Sequence, residues 1–295
     1  MKNLIVYLCL VFSVTAYAGK QIDETLDVRP GGKISIDVMR GDVQIETWDK
    51  SKVRVKGELD DATKKFIFEV DGDDAEIKVK VDDGFFNRNW SSDGSDLTIY
   101  IPESSSVEAG GISTDFDVDG VQGGITVSSV SGDIDAQNIA RSINIESVSG
   151  DIDVSDSDAK MRLVSVSGAV TTDGNAEHYD VSTISGDIEA SIGLSELIDL
   201  VSVSGDVDIQ FDLEDEGRLE AGTVSGDVTL SFSSKKINAS FDINTGPGGN
   251  IQNELSDDAV AKSKFIGSEN IKFKLGNGSA RVDVETMSGT IEISK

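Results

Sequence analysis

Cysteine, histidine, proline and aromatic residues are all scarce in this sequence. Its 295 residues include one cysteine, one histidine, three prolines and 6% aromatics. A single cysteine, Cys9, excludes an intramolecular disulfide, so the fold depends on its own core and hydrogen bonds. The lone histidine, His178, has no cysteine after residue 18 and no G-x-S-x-G motif between a strand and a helix to act with, so we expect no catalytic site built on it.

Basic residues are also few relative to acidic ones. The chain has 26 lysines and arginines against 54 aspartates and glutamates, which gives a formal net charge of −28. Nucleic acid and anionic lipid surfaces are therefore poor partners for it. Attraction to cations, or to basic or neutral surfaces, stays open.

The first 18 residues have the order of a secretory signal peptide. An apolar run follows Lys2, and the sequence AYA before Gly19 forms a small-residue cleavage site. The run is shorter than a membrane span requires. We therefore expect residues 1–18 to be removed, no transmembrane segment to remain, and the protein to be exported to the periplasm or cell surface of a bacterium.

One ten-residue pattern recurs along the chain. Copies begin at Ile125, Ile143, Met161, Tyr179, Ile198 and Leu219, with outlying copies at Ile34 and Val282. The turn serine stands at positions 131, 149, 167, 185, 204 and 225, so the steps are 18, 18, 18, 19 and 21 residues. A fixed period near twenty predicts a stacked array in which each unit buries its apolar face against its neighbours.

Within the copy INIESVSGDIDV, apolar residues alternate, which predicts a strand on each side of a turn. We expect Gly150 to supply a backbone position that few other residues tolerate, and Ser149 and Asp151 to hydrogen-bond nearby backbone groups. The predicted fold is all-β, a parallel β-solenoid (β-helix-like) with about 18–21 residues per coil. Its inner column is predicted to contain Ile134, Ile152, Val170, Ile188, Val207 and Val228.

Three further segments carry a resemblance to a known family. They are RGDVQIETWDKSKVRVKG from Arg40, LTIYIPESSSVEAGG from Leu97 and FKLGNGSARVDVETMSGTIEI from Phe273. With the SGD turns between them, the sequence resembles the bacterial "putative adhesin" or β-strand-repeat family of exported proteins. The resemblance covers most of the chain after residue 18 and implies an exported β-solenoid with no known catalytic machinery.

The repeat divides the rest of the chain into three parts. Residues 19–104 have longer alternating strands, residues 105–232 hold the regular coils, and residues 233–295 hold less regular coils that end in a strand. Because no polar cap follows GTIEISK, we expect the terminal coil to be a docking edge for another copy of the chain.

The aspartate after each turn glycine is a candidate calcium ligand. Stacked carboxylates about 5 Å apart repel by roughly 1 kcal/mol in water unless backbone donors or cations offset the repulsion. Calcium takes carboxylate and carbonyl oxygens, but the chain lacks the G-G-x-G-x-D pattern of calcium-binding rolls. Turn capping is the alternative role, and no other cofactor is expected. The candidates are Asp133, Asp151, Asp187, Asp206 and Asp227.

A polar loop at residues 82–96 holds candidate binding residues. Phe85, Phe86 and Trp90 stand there between two strand-like segments. Such aromatics either form a stacking platform for a sugar or a contact for a protein, or they cover an exposed strand edge.

The tripeptide Arg-Gly-Asp at residues 40–42 suggests an integrin-binding motif. It occupies the same position in its copy as the Ser-Gly-Asp turns do in theirs. We therefore interpret it as a structural turn.

These features favour a non-enzymatic, exported protein that binds, adheres or scaffolds in the cell envelope, with an envelope protein, surface protein or glycan as its partner. One alternative is a carbohydrate-active enzyme on a β-helix scaffold, which requires a cleft with a converging pair of carboxylates of shifted pKa. The other alternative is a calcium-stabilised structural module, whose stability rises with free metal.

Overall fold

The computed structural model describes residues 20–81 and 94–295. Every regular element in these two ranges is a β-strand, so the all-β prediction is confirmed. In the same ranges no helix is long and apolar enough to cross a membrane.

The strand bounds in chain order are β1 (Lys20–Asp27), β2 (Lys33–Val38), β3 (Arg40–Trp48), β4 (Lys52–Leu59), β5 (Thr63–Asp71), β6 (Asp74–Val81), β7 (Ser95–Pro102), β8 (Ser106–Gly110), β9 (Ser113–Asp119), β10 (Ile125–Ser129), β11 (Ile134–Gln137), β12 (Ala140–Ser147), β13 (Ile152–Ser165), β14 (Val170–Asn175), β15 (His178–Thr183), β16 (Ile188–Val201), β17 (Val207–Ser225), β18 (Val228–Phe232), β19 (Ala239–Thr245), β20 (Asn250–Asn253), β21 (Ala261–Lys262), β22 (Glu269–Lys274), β23 (Ala280–Ser288) and β24 (Thr290–Ser294).

The strands pair in two rows, called here the first and the second sheet. The first runs β5-β6-β2-β8-β10-β12-β13-β15-β16-β17-β23-β19-β22-β21. The second runs β1-β4-β7-β3-β9-β11-β13-β14-β16-β17-β18-β24-β20. The long strands β13, β16 and β17 contribute their first halves to the second sheet and their second halves to the first, so they join the two rows.

Successive copies of the repeat lie beside each other in parallel register. Ile143 pairs with Ile125 on one side and with Met161 on the other, which are the equivalent residues of the adjacent copies. The predicted inner column is confirmed, because its members pair in order from Ile134 to Val228 and each is at most 1% exposed. The middle of the chain is thus β-solenoid-like, with one hydrophobic cluster between the sheets.

Both ends of the array depart from the predicted parallel pairing. At one end β4 is antiparallel to β1 and β7, and β5 is antiparallel to β6. At the other end β22 is antiparallel to β19 and β21. An end coil has no further coil to stack on, so a hairpin supplies the missing backbone partners locally.

The two outlying copies of the repeat lie inside the array. Strands β2 and β3 lie between β6–β7 and β8–β9, and β23 and β24 lie between β17–β18 and β19–β20. The prediction of a docking edge at the terminal coil is therefore wrong. Residues 233–279 fold beyond that coil and pair with the edge that it would otherwise expose.

Candidate functional site

The corner between the two sheets is held by a buried hydroxyl. The Oγ of Ser147 accepts a hydrogen bond of 2.9 Å from the backbone N–H of Gly150, and Ser165 does the same for Gly168. Ser149, the predicted turn residue, is exposed instead. The alternation of the strand continues through Ser147 and Val148, which keeps the serine inside and puts the valine outside, and Ser149 is exposed because the turn begins there.

The glycine at the corner is required by close backbone packing. A Cβ on Gly150 would lie 1.9 Å from the carbonyl oxygen of Gly132, and a Cβ on Gly168 would lie 1.9 Å from that of Gly150. These glycines do not have a positive φ. The prediction that few other residues tolerate this backbone position is therefore confirmed, and the reason is that adjacent coils touch there.

The candidate calcium ligands form hydrogen bonds from coil to coil. The Oδ1 of Asp133 accepts from the N–H of Asp151 at 2.9 Å, and the Oδ1 of Asp151 accepts from the N–H of Ala169 at 2.8 Å. The same bond recurs at the other three candidates, Asp187, Asp206 and Asp227, at 2.9, 2.8 and 2.6 Å. Each carboxylate thus satisfies a backbone donor of the next coil, and calcium binding by this row stays a prediction.

A shallow acidic groove of about 270 Å³ lies on the second sheet, where Asp42, Asp96, Asp115, Asp117 and Asp135 converge. Partial burial, followed by repulsion from Asp115 and Asp96, raises the pKa of Asp42. Burial and four neighbouring aspartates raise the pKa of Asp135 in the same way. These carboxylates come from adjacent strands, so the groove is a consequence of stacking acidic residues at equivalent positions.

An exposed apolar stripe follows the corner through the coils. Each member immediately precedes the turn serine or its equivalent, and the N–H of Ser149 donates to the carbonyl oxygen of Val130 at 3.1 Å, so successive members are one coil apart. Their exposure lies between 38% and 51%. This corner stripe consists of Ile112, Val130, Val148, Val166, Ile184, Val203, Val224 and Met287.

The sequence contains a signal for the corner stripe that the prediction did not use. Continued alternation from Ile145 puts Ser147 inside, so the apolar Val148 must point outward. An apolar residue recurs at the position of Val148 in every turn, although its side chain does not contribute to the core. An apolar residue that recurs at an outward position points to a partner surface.

A family model described as Toastrack DUF4097 matches residues 32–294, which is most of the chain. The chain belongs to the Toastrack DUF4097 family. No curated protein matches it.

Three solved structures are similar to this Toastrack chain. A "putative lipid binding protein" from Parabacteroides distasonis is 15% identical, with a TM-score of 0.52 over 94% of this chain and 98% of that one. A "putative adhesin" from Bacteroides fragilis is 15% identical, with a TM-score of 0.45 over 93% and 97%. A "putative cell adhesion protein" from Clostridium sporogenes is 14% identical, with a TM-score of 0.30 over 93% and 99%. At this identity the Parabacteroides distasonis structure shows a shared fold alone.

The Arg-Gly-Asp tripeptide of this Toastrack chain is structural, as predicted. Arg40 is 7% exposed and forms a two-point ion pair with Asp60, which is 3% exposed. Asp60 also accepts from the N–H of Ala62 at 2.8 Å. A guanidinium held in this way inside the protein is not available to a receptor.

The aromatic candidates Phe85, Phe86 and Trp90 lie outside the described residues, so their two predicted roles stay predictions. His178 lies at the opposite corner from the stripe, half exposed, with its Nε2 3.5 Å from Glu196 Oε2. Glu177 is beside it, and within residues 20–81 and 94–295 these three side chains form the one group with metal-ligating geometry.

Proposed function

We propose that this Toastrack protein is an exported, non-enzymatic binding protein of the bacterial cell envelope, adhesin-like or scaffolding in role. We propose further that the array acts as one parallel β-solenoid of about 18–21 residues per coil that docks an elongated protein partner along the corner stripe. The observation that carries the proposal is the recurrence of an exposed apolar residue at every regular turn.

The corner stripe has the dimensions of a binding surface. Its eight members stand one coil apart, and at about 4.8 Å per step they make a line about 34 Å long. A contiguous exposed apolar patch on a soluble protein often marks an interaction site. A partner strand or row of side chains of matching spacing would bury every member at once.

Charge determines which partner fits. The exposed aspartates that follow the turn glycines run beside the stripe, and the chain has a net charge of −28. A second copy of the chain would place like charges opposite each other. The complementary partner is therefore a protein surface with apolar side chains flanked by lysines or arginines.

Lipid is the less favoured ligand class. The Parabacteroides distasonis protein of the same fold is described as lipid binding. Bacterial membranes present anionic surfaces, which repel a strongly acidic protein. The corner stripe is also a single row of residues, which suits a row of protein side chains better than a membrane surface.

The proposal can be tested with defined peptides. A labelled peptide of alternating leucine and lysine, and a matched one of alternating leucine and glutamate, would be titrated by fluorescence anisotropy at low and high salt. We expect the lysine peptide to bind the wild-type protein, binding to weaken with salt, and the glutamate peptide not to bind.

Matched variants separate the stripe from general charge attraction. Val148→Ser with Val166→Ser removes two stripe members and leaves every charge in place. Leu194→Ser with Leu197→Ser removes two leucines of the opposite corner, which are 57% and 40% exposed. We expect only the first pair to lose binding; equal binding by both pairs would refute docking at the stripe.

The acidic groove favours one rival function, a carbohydrate-active enzyme. It gathers carboxylates of raised pKa, which such an enzyme needs. Among the residues that the structure describes, no lysine or arginine lines the groove. The groove is also open to solvent on one face of the sheet. Release of reducing sugar from a polysaccharide panel, abolished by Asp42→Asn with Asp115→Asn, would establish this rival and refute the non-enzymatic proposal.

A further inference from the structure

We propose that Glu177, His178 and Glu196 form a binding site for a divalent transition-metal cation of the Zn²⁺ class. One imidazole nitrogen and one oxygen from each carboxylate lie within 4.8 Å of one another. His178 is the only histidine in the chain, and it stands where glutamates of two adjacent coils converge.

The backbone fixes the relative positions of the three residues. The carbonyl oxygen of Glu177 accepts hydrogen bonds from the N–H groups of Glu196 and Leu197 at 3.0 and 3.1 Å. His178 is also paired with Leu197 in the parallel register of β15 and β16. The ligand-bearing segments are therefore already positioned, and only side-chain rotation is needed to bind an ion.

The spacing suits a small tetrahedral ion. Ligand atoms at about 2.1 Å from a tetrahedral ion are about 3.4 Å from one another. The Nε2 of His178 is 3.5 Å from the Oε2 of Glu196, so this pair already has that separation. The ligand oxygen of Glu177 lies within 4.8 Å of the other two ligand atoms, so it must move closer to bind the same ion, and a fourth position is left for water.

The donor set determines the class of metal. Imidazole nitrogen binds zinc, copper and nickel well, whereas calcium and magnesium take oxygen ligands. Two carboxylates and one imidazole neutralise a divalent cation without burying charge. The site is distinct from the row of aspartates along the corner stripe, because it lies at the opposite corner of the coil.

Lys160 competes with the metal. Its Nζ lies 3.2 Å from the Oε2 of Glu177, and both side chains are more than half exposed. An exposed ion pair of this kind contributes little stability, so a divalent cation can displace it. Removal of the lysine charge should therefore strengthen metal binding, a result that a merely structural role for Glu177 does not predict.

Isothermal titration of EDTA-stripped protein that carries no histidine tag tests the site, with Zn²⁺, Ca²⁺ and Mg²⁺ as separate titrants. We expect saturable binding of one Zn²⁺ per chain and no comparable binding of Ca²⁺ or Mg²⁺. His178→Ala should abolish this binding, Glu196→Gln should weaken it by about tenfold, equivalent to about 1.4 kcal/mol, and Lys160→Gln should tighten it.

Asp208→Asn is the matched control, because it removes an exposed carboxylate of a neighbouring coil without touching the three ligands. It should bind Zn²⁺ as the wild type does. Unchanged binding in His178→Ala, equal affinity for Ca²⁺, or no saturable binding at all would each overturn the proposal. Circular dichroism of every variant verifies that the fold is intact, which surface substitutions at these exposed positions should preserve.

Discussion

At the corner of each regular coil, one residue stabilises the turn itself and two others join it to the adjacent coils. In one coil, Ser147 hydrogen-bonds the N–H of Gly150 from inside, and Gly150 touches the backbone of Gly132. Asp151 accepts the N–H of residue 169 from outside. The Gly-Asp pair of each repeat thus stacks adjacent coils, and the aspartate row has a structural role that needs no metal.

We predict that the hydrogen bond, rather than the charge, is what Asp151 contributes to stability. Asp151→Ala should lower the free energy of unfolding by about 1 kcal/mol, because the N–H of Ala169 loses its acceptor. Asp151→Asn should be neutral or slightly stabilising, because the amide oxygen keeps the bond and the repulsion along the row falls. Chemical denaturation monitored by circular dichroism measures both changes.

Asp153→Ala is the control for this pair, since Asp153 is exposed on the sheet face two residues further on. It should not destabilise the protein. A loss of stability in Asp151→Asn equal to that in Asp151→Ala would refute the prediction. A rise in melting temperature specific to calcium over magnesium, and absent from Asp151→Asn, would assign the row to metal binding instead.

We predict that a single methyl group at the corner separates two coils. Gly168→Ala would place a Cβ 1.9 Å from the carbonyl oxygen of Gly150, so the backbone must shift, at a cost of about 1–3 kcal/mol in the free energy of unfolding. In Gly110→Ala the new Cβ meets nothing within 4 Å, and the loss of chain entropy in the unfolded state should leave stability equal or higher. Equal melting temperatures for the two variants would contradict this account.

At the scale of strands, the position of the terminal coil is the main departure from a simple stack. Strand β23 pairs with β17 and β19, and β24 pairs with β18 and β20, so the last coil in sequence is internal in space. Ser225 pairs with Ser288 in the same turn position although many residues separate them in sequence. This arrangement packs residues 280–294 between coils that precede them in sequence.

We predict that truncation before residue 280 abolishes cooperative folding. The shortened chain would lose a coil that is paired on both sides in both sheets, so β17, β18, β19 and β20 would all have unpaired edges. We expect an aggregating or broadly melting product in circular dichroism and size-exclusion chromatography. If the terminal coil were a simple end unit, the shortened protein would be monomeric and melt cooperatively.

At the scale of the whole molecule, excess negative charge governs the response to pH. The pKa values of Asp42, Asp135 and Asp199 are raised above 3.8, first by burial and then by neighbouring carboxylates. The folded state therefore binds these protons more tightly than the unfolded state does. Stability from these groups grows as pH falls from neutral into the window above 3.8, and it is lost as pH rises.

Asp242 acts in the opposite sense. Its hydrogen bond from Lys272 lowers its pKa below 3.8, so its contribution is present at neutral pH and is lost as pH falls further. We therefore predict a maximum in melting temperature at weakly acidic pH, measured by scanning calorimetry at low salt. Asp135→Asn should reduce the rise between neutral and weakly acidic pH, and a maximum at neutral or alkaline pH would contradict the prediction.

The repeating part of this protein follows from local residue patterns. Alternation of apolar residues has a period of two, and the copies recur at steps of 18 to 21 residues, so strand, register and the inner column from Ile134 to Val228 follow from local pattern. The structural reading of the tripeptide at Arg40 followed in the same way. The exposure of Val148 was also implied by the alternation.

The contacts between coils do not follow from local patterns, because they depend on how distant segments pack. The contact of Gly150 with Gly132, the bond from Asp151 to the next coil and the convergence of Glu177 with Glu196 depend on which coils are adjacent and how closely they pack. The antiparallel ends and the internal place of β23 and β24 depend on how the array satisfies its last edges. These pairings are long-range. Any segment that reaches an edge can pair with its hydrogen-bonding groups, so a local sequence pattern cannot predict which segment does so.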